Sequence, residues 1–110
     1  MINGINSREM ILEILLEIEE GEHSHVAIRN ALSKYQFLPK QDRAFITRVC
    51  EGTLEYRIQI DYIINSFSKV TVDKMKPAIR EILRSAVYQL KYMDSVPDSA
   101  VCNAAVKLAQ

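Results

Sequence analysis

One amphipathic stretch, residues 76–93 (KPAIREILRSAVYQLKYM), constrains the fold of this chain more than any other feature. Pro77 suits the first position of a helix, where a missing N–H group has no partner to lose. At about 100° per residue, the apolar side chains form a stripe too wide for one neighbouring helix to cover. This stripe consists of Ile79, Ile82, Leu83, Ala86, Val87, Leu90 and Met93. The pattern therefore predicts a central helix that several others enclose.

The opposite side of the same helix carries Arg80, Arg84, Tyr88 and Lys91. Arg80 and Arg84 are one turn apart and repel each other unless a negative group lies between them. A cationic side that bears an aromatic ring predicts contact with a polyanion. Two structural alternatives stay open: Arg84 as an internal brace paired with a carboxylate, and Tyr88 as a bridge between helical bundles. For Arg80 and Lys91 the alternative is an ordinary solvated charge, which the sequence pattern does not distinguish from an RNA contact.

Composition favours a single all-α domain over residues 1–110. Nearly half of the residues, 48%, are hydrophobic, and three Gly and three Pro are few enough to leave long helices uninterrupted. No apolar run approaches the ~20 residues of a membrane span, and the amino end lacks a secretory signal, so we expect a cytoplasmic protein. Cys50 and Cys102 both fall in predicted helices, where we expect buried free thiols rather than a disulfide.

The formal charge is zero overall but is unevenly distributed along the chain. Residues 1–22 contain one Arg and six Glu, whereas residues 40–91 contain ten Lys or Arg and six Asp or Glu. A neutral total argues against strong nonspecific affinity for nucleic acid, because each neutralised phosphate needs its own cation. A local basic patch remains possible in the second region. The acidic first helix is expected to be a solvated face, or a docking surface for a basic partner.

The remaining helices are predicted from their apolar periodicity and end signals. Ser7 is the expected cap of the first helix and Gly21 its terminator, and Asp98 is the expected cap of the last. Gly52 lies at the margin of an apolar stripe, which predicts close approach of another helix. A bend is placed near Arg57, where the stripe changes phase. The predicted segments are 7–21, 24–35, 41–57 and 58–67, followed by a polar connector at 68–76, the central helix, a chain break at 94–97 and the last helix.

No pattern in the sequence indicates catalysis. There is no glycine-rich phosphate loop and no signature of an acylating serine or cysteine. His23 and His25 lack further ligands at a recognised spacing, so we expect no metal site there. The residues are therefore interpreted as a non-enzymatic binding or scaffolding module.

Several short motifs resemble the NusB-like domain family. They lie in DRAFITRVCEGTLEYRIQIDYII and in AIREILRSAVYQLKYMDSVPDSAVCNAAVKLAQ. The most specific pieces are Asp42-Arg43-Ala44-Phe45, Gly52-Thr53-Leu54, Leu83-Arg84, Tyr88-Gln89-Leu90, Val96-Pro97, and Asn103 followed by Ala105-Val106. The resemblance extends from about Arg8 to Gln110 and implies two small antiparallel helical bundles packed across each other, with about six helices in this chain.

The resemblance also implies RNA as the ligand. Free-standing members are antitermination factors whose arginine-rich first helix contacts RNA and which pair with a ribosomal protein. Other members form the amino-terminal domain of ribosomal RNA cytosine-C5 methyltransferases of the Sun/Fmu type. Here the first helix keeps only Arg8, and the motifs around Tyr88 and Val96 look closer to the methyltransferase version. Ala104 and Gln110 stand where the family commonly has Glu and Lys.

We therefore expect an accessory domain that positions ribosomal RNA, at the amino end of a longer methyltransferase. No cofactor is expected in this domain, and S-adenosylmethionine would bind a downstream catalytic domain. The candidate RNA-binding residues are Arg8, Arg80, Arg84, Tyr88 and Lys91, and reversing Arg80 and Lys91 to Glu is predicted to weaken RNA binding with little loss of fold. A free-standing antitermination factor and a purely structural interaction domain are the two alternatives. Beyond RNA, the expected partners are a ribosomal protein or the enzyme's own catalytic domain.

Overall fold

The computed structural model describes residues 6–94 and 98–109 and is all-helical over both ranges. This confirms the predicted fold class and the number of helices. Residues 95–97, which include the predicted Val96-Pro97 motif, lie outside the described residues, as does Gln110. The helices are α1 (Ser7–Glu19), α2 (Ser24–Lys34), α3 (Lys40–Glu55), α4 (Arg57–Phe67), α5 (Pro77–Tyr92) and α6 (Asp98–Ala109), with a short 3₁₀ turn at Val72–Lys74 between α4 and α5.

The ends of α1 follow ordinary capping chemistry, with one correction. Asn6, and not Ser7, caps the amino end: the Glu9 backbone N–H donates to Asn6 Oδ1 at 2.8 Å. At the other end Gly21 has a φ of 118°, the left-handed conformation that glycine adopts without a Cβ clash. The three N–H groups after the helix, those of Glu20, Gly21 and Glu22, donate back to carbonyls of its last turn, so Gly21 terminates α1 as predicted.

The bend predicted near Arg57 lies one residue earlier, at Tyr56. Tyr56 ends α3 and precedes α4, with φ −102° and ψ 19°. Its N–H donates to the Gly52 carbonyl at 3.0 Å, and its own carbonyl accepts from the Ile60 N–H at 2.9 Å. Hydrogen bonding thus continues across the junction while the helix axis changes direction, which sets the angle between α3 and α4.

Helix α5 is the central element of the packing. Helices α1, α2 and α3 contact one another, α4 and α6 each contact α5, and α5 also packs against α1 and α3. The buried apolar core follows this arrangement and includes Met10, Ile11, Ile14, Leu15, Ala27, Ile28, Ile46, Val49, Cys50, Ile60, Ile64, Tyr88 and Met93. No helix in the described ranges is long and apolar enough to cross a membrane.

The prediction of which side of α5 is buried was partly wrong. Met93 and Ile82 are buried as expected, but Leu90 is 41% exposed, whereas Tyr88 is only 5% exposed. The most buried line of the helix is mostly polar: Glu81, Ser85 and Gln89 are all buried. The physical reason is the number of neighbours, because α1, α3, α4 and α6 together surround α5 and enclose part of its polar side.

The two cysteines differ. Cys50 is fully buried in α3, which confirms the predicted buried free thiol, and burial raises the pKa of this thiol to about 12. Cys102 is exposed on α6, so its predicted burial was wrong. The prediction of burial rested on the position of Cys102 in a predicted helix, whereas α6 has its strongest contacts with α5 and leaves this side chain exposed.

Candidate functional site

Arg8, the single basic residue of α1, points towards the interior. Its Nε donates to Gln89 Oε1 on α5 at 3.3 Å, and its guanidinium lies 5.3 Å from the centroid of the Phe45 ring on α3. Burial lowers the pKa of this guanidinium. Arg8 therefore joins three helices by a hydrogen bond and a cation–π contact, and is not a free surface cation.

Arg80 is braced by α1 and by the turn before α5. Its guanidinium forms an ion pair with Glu19, in which Nε donates to Glu19 Oε1 at 2.9 Å. Its Nη1 also donates to the backbone carbonyls of Met75 at 2.9 Å and Val72 at 3.2 Å. The side chain is 18% exposed, so the predicted exposed cation is instead largely engaged within the fold.

Arg84 forms a forked ion pair with Asp61 of α4. Nε and Nη2 donate to the two carboxylate oxygens at 2.8 and 2.9 Å, and Nη1 donates to Glu81 Oε2 at 2.6 Å. Bidentate geometry of this kind is the strongest arginine–carboxylate arrangement. The structure thus confirms the alternative of an internal brace between α4 and α5, while RNA contact by Arg84 stays a prediction.

The pKa values of Glu81 and Glu19 are shifted in opposite directions at the junction of α1, α4 and α5. Burial raises the pKa of Glu81 to about 7, and hydrogen bonding to Glu19 adds to this, while the charge of Arg84 opposes it. Hydrogen bonding to Arg80 lowers the pKa of Glu19 to about 2. The α1–α4–α5 junction therefore holds two guanidinium groups among three carboxyl groups, one of which titrates near neutral pH.

Tyr88 is buried against Gly52 of α3. A Cβ at residue 52 would overlap the Tyr88 ring, so only glycine leaves the ring room to pack on the α3 backbone. This confirms the close helix approach predicted from Gly52 and corrects the placement of Tyr88 on an exposed side. The neighbouring Thr53 hydroxyl is buried without a hydrogen-bond partner among the described atoms.

Three tyrosines meet where α3, α4 and α5 converge, and we call them the tyrosine cluster: Tyr56, Tyr88 and Tyr92. Ring centroids of Tyr56 and Tyr92 are 4.5 Å apart, and those of Tyr88 and Tyr92 are 5.4 Å apart, with interplanar angles of 14° and 23°. The Tyr92 hydroxyl donates to Gln59 Oε1 at 2.6 Å. Tyr56 and Tyr92 were not predicted as site residues, although the spacing of Tyr88 and Tyr92 by one helical turn was a signal for a shared face.

Two exposed cations flank this cluster. Lys91 Nζ lies 5.8 Å from the centroid of the Tyr92 ring, and Arg48 Nη2 donates to the Tyr92 carbonyl at 3.4 Å. Within residues 6–94 and 98–109, neither cation is in an ion pair with a carboxylate. Of the predicted site residues, Tyr88 and Lys91 therefore lie near each other at this cluster. Arg80 and Arg84 lie at the junction of α1, α4 and α5, and Arg8 lies on the inward side of α1.

The described residues contain no cluster of three or more His, Cys, Asp or Glu side chains that could hold a metal ion. The geometry available is that of a binding surface: parallel aromatic rings, two exposed cations, and a neighbouring groove along α3 lined by both basic and acidic side chains.

Comparison with known proteins separates two groups of relatives. The probable ribosomal RNA small subunit methyltransferase B of Bacillus subtilis is 30% identical over 94% of this chain but only 23% of its own length. The protein of the same name from Synechocystis is 34% identical over 96% of this chain and 24% of its own length. The transcription antitermination protein NusB of Acetivibrio thermocellus is 30% identical over 94% of this chain and 72% of its own length. The chain thus spans less than a quarter of the methyltransferases that it resembles.

The fold is also that of a solved structure. A chain in the crystal structure of the antitermination factors NusB and NusE in complex with double-stranded RNA superposes with a TM-score of 0.84, at 18% identity, over 94% of this chain and 77% of that chain. At this identity the likeness establishes the fold alone. A family model described as the NusB family matches residues 5–110, and the chain belongs to that family.

Proposed function

We propose that this chain is an RNA-binding domain that positions ribosomal RNA for a cytosine-C5 methyltransferase. The similarity to two ribosomal RNA methyltransferases over nearly the whole chain supports this assignment. The domain itself would contribute no catalytic group. S-adenosylmethionine would bind in a catalytic domain elsewhere in a longer protein, and the site of action would be the cytoplasm.

The charge distribution of α1 favours a methyltransferase domain over a free-standing antitermination factor. The family resemblance assigns an arginine-rich, RNA-contacting first helix to free-standing members, whereas Arg8 here is turned inward onto Gln89 and Phe45. The outer face of α1 presents Glu13 and Glu17, both exposed. Because carboxylates repel phosphates, RNA contact through α1 is disfavoured, which favours a binding surface on other helices.

Contacts to phosphates fix the position and orientation of RNA without reading its sequence. A domain that contributes such contacts would raise the local concentration of the substrate near a tethered catalytic domain. The catalytic domain would select the target cytosine.

A second candidate, a free-standing antitermination factor that acts with a ribosomal protein, is supported by the similarity to the Acetivibrio thermocellus NusB protein, which is 30% identical over 94% of this chain. A purely structural domain, in which the acidic face of α1 docks a basic protein, would be the outcome if no RNA binds.

The deciding experiment is deletion of the gene followed by bisulfite sequencing of ribosomal RNA. We expect loss of one 5-methylcytosine, with restoration by the full-length gene, and a gene product about four times the length of this chain, as in the similar methyltransferases. Unchanged ribosomal RNA methylation together with premature termination in ribosomal operons would instead establish the antitermination function.

A further inference from the structure

We propose that the tyrosine cluster, together with Arg48 and Lys91, binds unpaired nucleotides of RNA by stacking a base on the partly exposed rings of Tyr56 and Tyr92. The inference rests on the proposed function and deepens it, because it names both the surface and the form of the RNA. It also moves the binding surface away from Arg80 and Arg84.

The three rings of the tyrosine cluster are held in place before any ligand arrives. Tyr88 is wedged against Gly52 and supports the other two rings from below. Tyr92 is fixed at its hydroxyl by Gln59 and at its carbonyl by Arg48. A rigid side chain loses little conformational entropy on binding, so such rings are suited to stacking a nucleobase.

Two of the three rings are accessible from solvent. Tyr88 is buried, but Tyr56 and Tyr92 are only half-buried, and Gln59, which binds the Tyr92 hydroxyl, is itself exposed. Near-parallel rings at the surface offer a π-face on which a base can continue the stack, and this mode tolerates any base sequence.

The charges beside the tyrosine cluster also favour a nucleotide ligand. Arg80 and Arg84 are neutralised by Glu19, Asp61 and Glu81, so their charges are already compensated. Arg48 and Lys91 are exposed and unpaired among the described residues, and both contact Tyr92. A nucleotide stacked at the cluster would therefore place its phosphate near two available cations.

Charged side chains of both signs line the groove on α3 beside Gly52 and Tyr88: Lys40, Arg43 and Arg48 with Glu51 and Glu55. Arg48 therefore offers a phosphate contact at the groove, and Lys91 offers one near the end of α5. Double-stranded RNA would not satisfy the surface, because its bases are stacked on each other and cannot be presented to an aromatic side chain.

The test measures binding of fluorescein-labelled oligouridylate and of a labelled RNA duplex by anisotropy at low salt. We expect the chain to prefer the single strand. Tyr92→Leu, which removes the aromatic face, should weaken single-strand binding about 10-fold, whereas Tyr92→Phe should bind within about 3-fold of the wild type. Lys91→Gln should weaken binding about 3-fold and reduce the slope of log affinity against log salt by about 0.7.

Matched controls are available on the same molecule. Tyr62 is an exposed tyrosine outside the cluster, and Lys69 is an exposed lysine outside it, so Tyr62→Leu and Lys69→Gln should change affinity less than about 2-fold. Because the chain has no Trp, tyrosine emission is observable, and stacking should quench it in the wild type but much less in Tyr92→Leu. Circular dichroism identifies any variant that does not fold, in which case Lys91→Gln and Tyr92→Phe carry the test.

The outcomes separate the inference from the proposed function. RNA binding that Tyr92→Leu and Lys91→Gln weaken no more than their controls would overturn the inference and leave an RNA-binding domain with another surface. Tighter binding of the duplex would also overturn it. Absence of binding to either RNA would overturn both the inference and the proposed function.

Discussion

The two halves of α5 use similar residues for opposite purposes. In the first half, Arg80 and Arg84 are held by carboxylates from α1, α4 and α5 itself. In the second half, Lys91 has no ion pair among the described residues and lies beside the half-buried ring of Tyr92. The comparison teaches that a cationic stripe on a helix is not one surface: each charge is structural or available according to what neighbouring helices bring to it.

The largest expected effect tests the structural half. Arg84→Met removes the charge but keeps most of the side-chain length, and leaves Asp61 and the buried Glu81 without their partner. We expect a loss of roughly 3 kcal/mol in the free energy of unfolding, because breaking a buried ion pair leaves an uncompensated charge. Urea denaturation measures it. The matched variant Lys91→Met should change stability by less than about 0.5 kcal/mol, and equal losses would contradict the comparison.

A second prediction concerns the contact between Gly52 of α3 and Tyr88 in the second half of α5. Gly52→Ala places a methyl group against the Tyr88 ring, and we expect a loss of about 1–3 kcal/mol from overpacking. Replacing the Tyr88 ring in the double variant Gly52→Ala/Tyr88→Leu should recover part of the free energy of unfolding that Gly52→Ala removes. A thermodynamic cycle from denaturant unfolding measures this coupling, and strictly additive losses would show that the two residues do not contact.

A third prediction uses pH. The folded-state pKa of Glu81 is raised to about 7, so its contribution to stability is fully present below the unfolded pKa of about 4.3 and is lost as pH rises through 7. Glu19, whose pKa is lowered, acts in the opposite sense and only in more acidic solution. We expect wild-type stability to fall by about 1–2 kcal/mol between pH 5 and 8, and Glu81→Gln to fall less. Parallel pH profiles for the two proteins would contradict the raised pKa.

The smallest expected effect is the difference in stability loss between two leucines of the predicted apolar stripe. Leu83 is partly buried and packs on the core, whereas Leu90 is 41% exposed. Leu83→Ala should cost about 2 kcal/mol, and Leu90→Ala less than about 1 kcal/mol because little apolar area is uncovered. Thermal unfolding compares them directly. A larger loss at Leu90 would mean that the exposed side of α5 is packed in solution.

Local signals made most of the fold predictable. Pro77, Gly21 and the change of apolar phase near residue 57 each mark a helix boundary through short-range chemistry, and the structure places boundaries within a residue or two of them. Gly52 predicted a close helix approach because a glycine inside a helix costs stability unless something needs the space.

The environment of each candidate site residue was less predictable because it depends on distant partners. Arg80 pairs with Glu19, 61 residues away in the sequence, and Arg84 pairs with Asp61, 23 residues away. Tyr56, at the end of α3, stacks directly on Tyr92 of α5. Periodicity places a residue on a side of its own helix, but only packing decides whether that side meets a carboxylate, a ring or water.

The most direct test of the account compares Arg80→Glu with Lys91→Glu. The sequence alone predicted that both reversals weaken RNA binding with little loss of fold, whereas the contacts of Arg80 with Glu19, Val72 and Met75 lead us to revise the first half of that prediction. Melting temperature and single-strand RNA affinity, measured on both variants below their unfolding transitions, separate the two roles. We predict that Arg80→Glu lowers the melting temperature by several degrees with little change in affinity, and that Lys91→Glu weakens RNA binding at an unchanged melting temperature. The reverse pattern, with RNA affinity lost at Arg80 and retained at Lys91, would contradict the account.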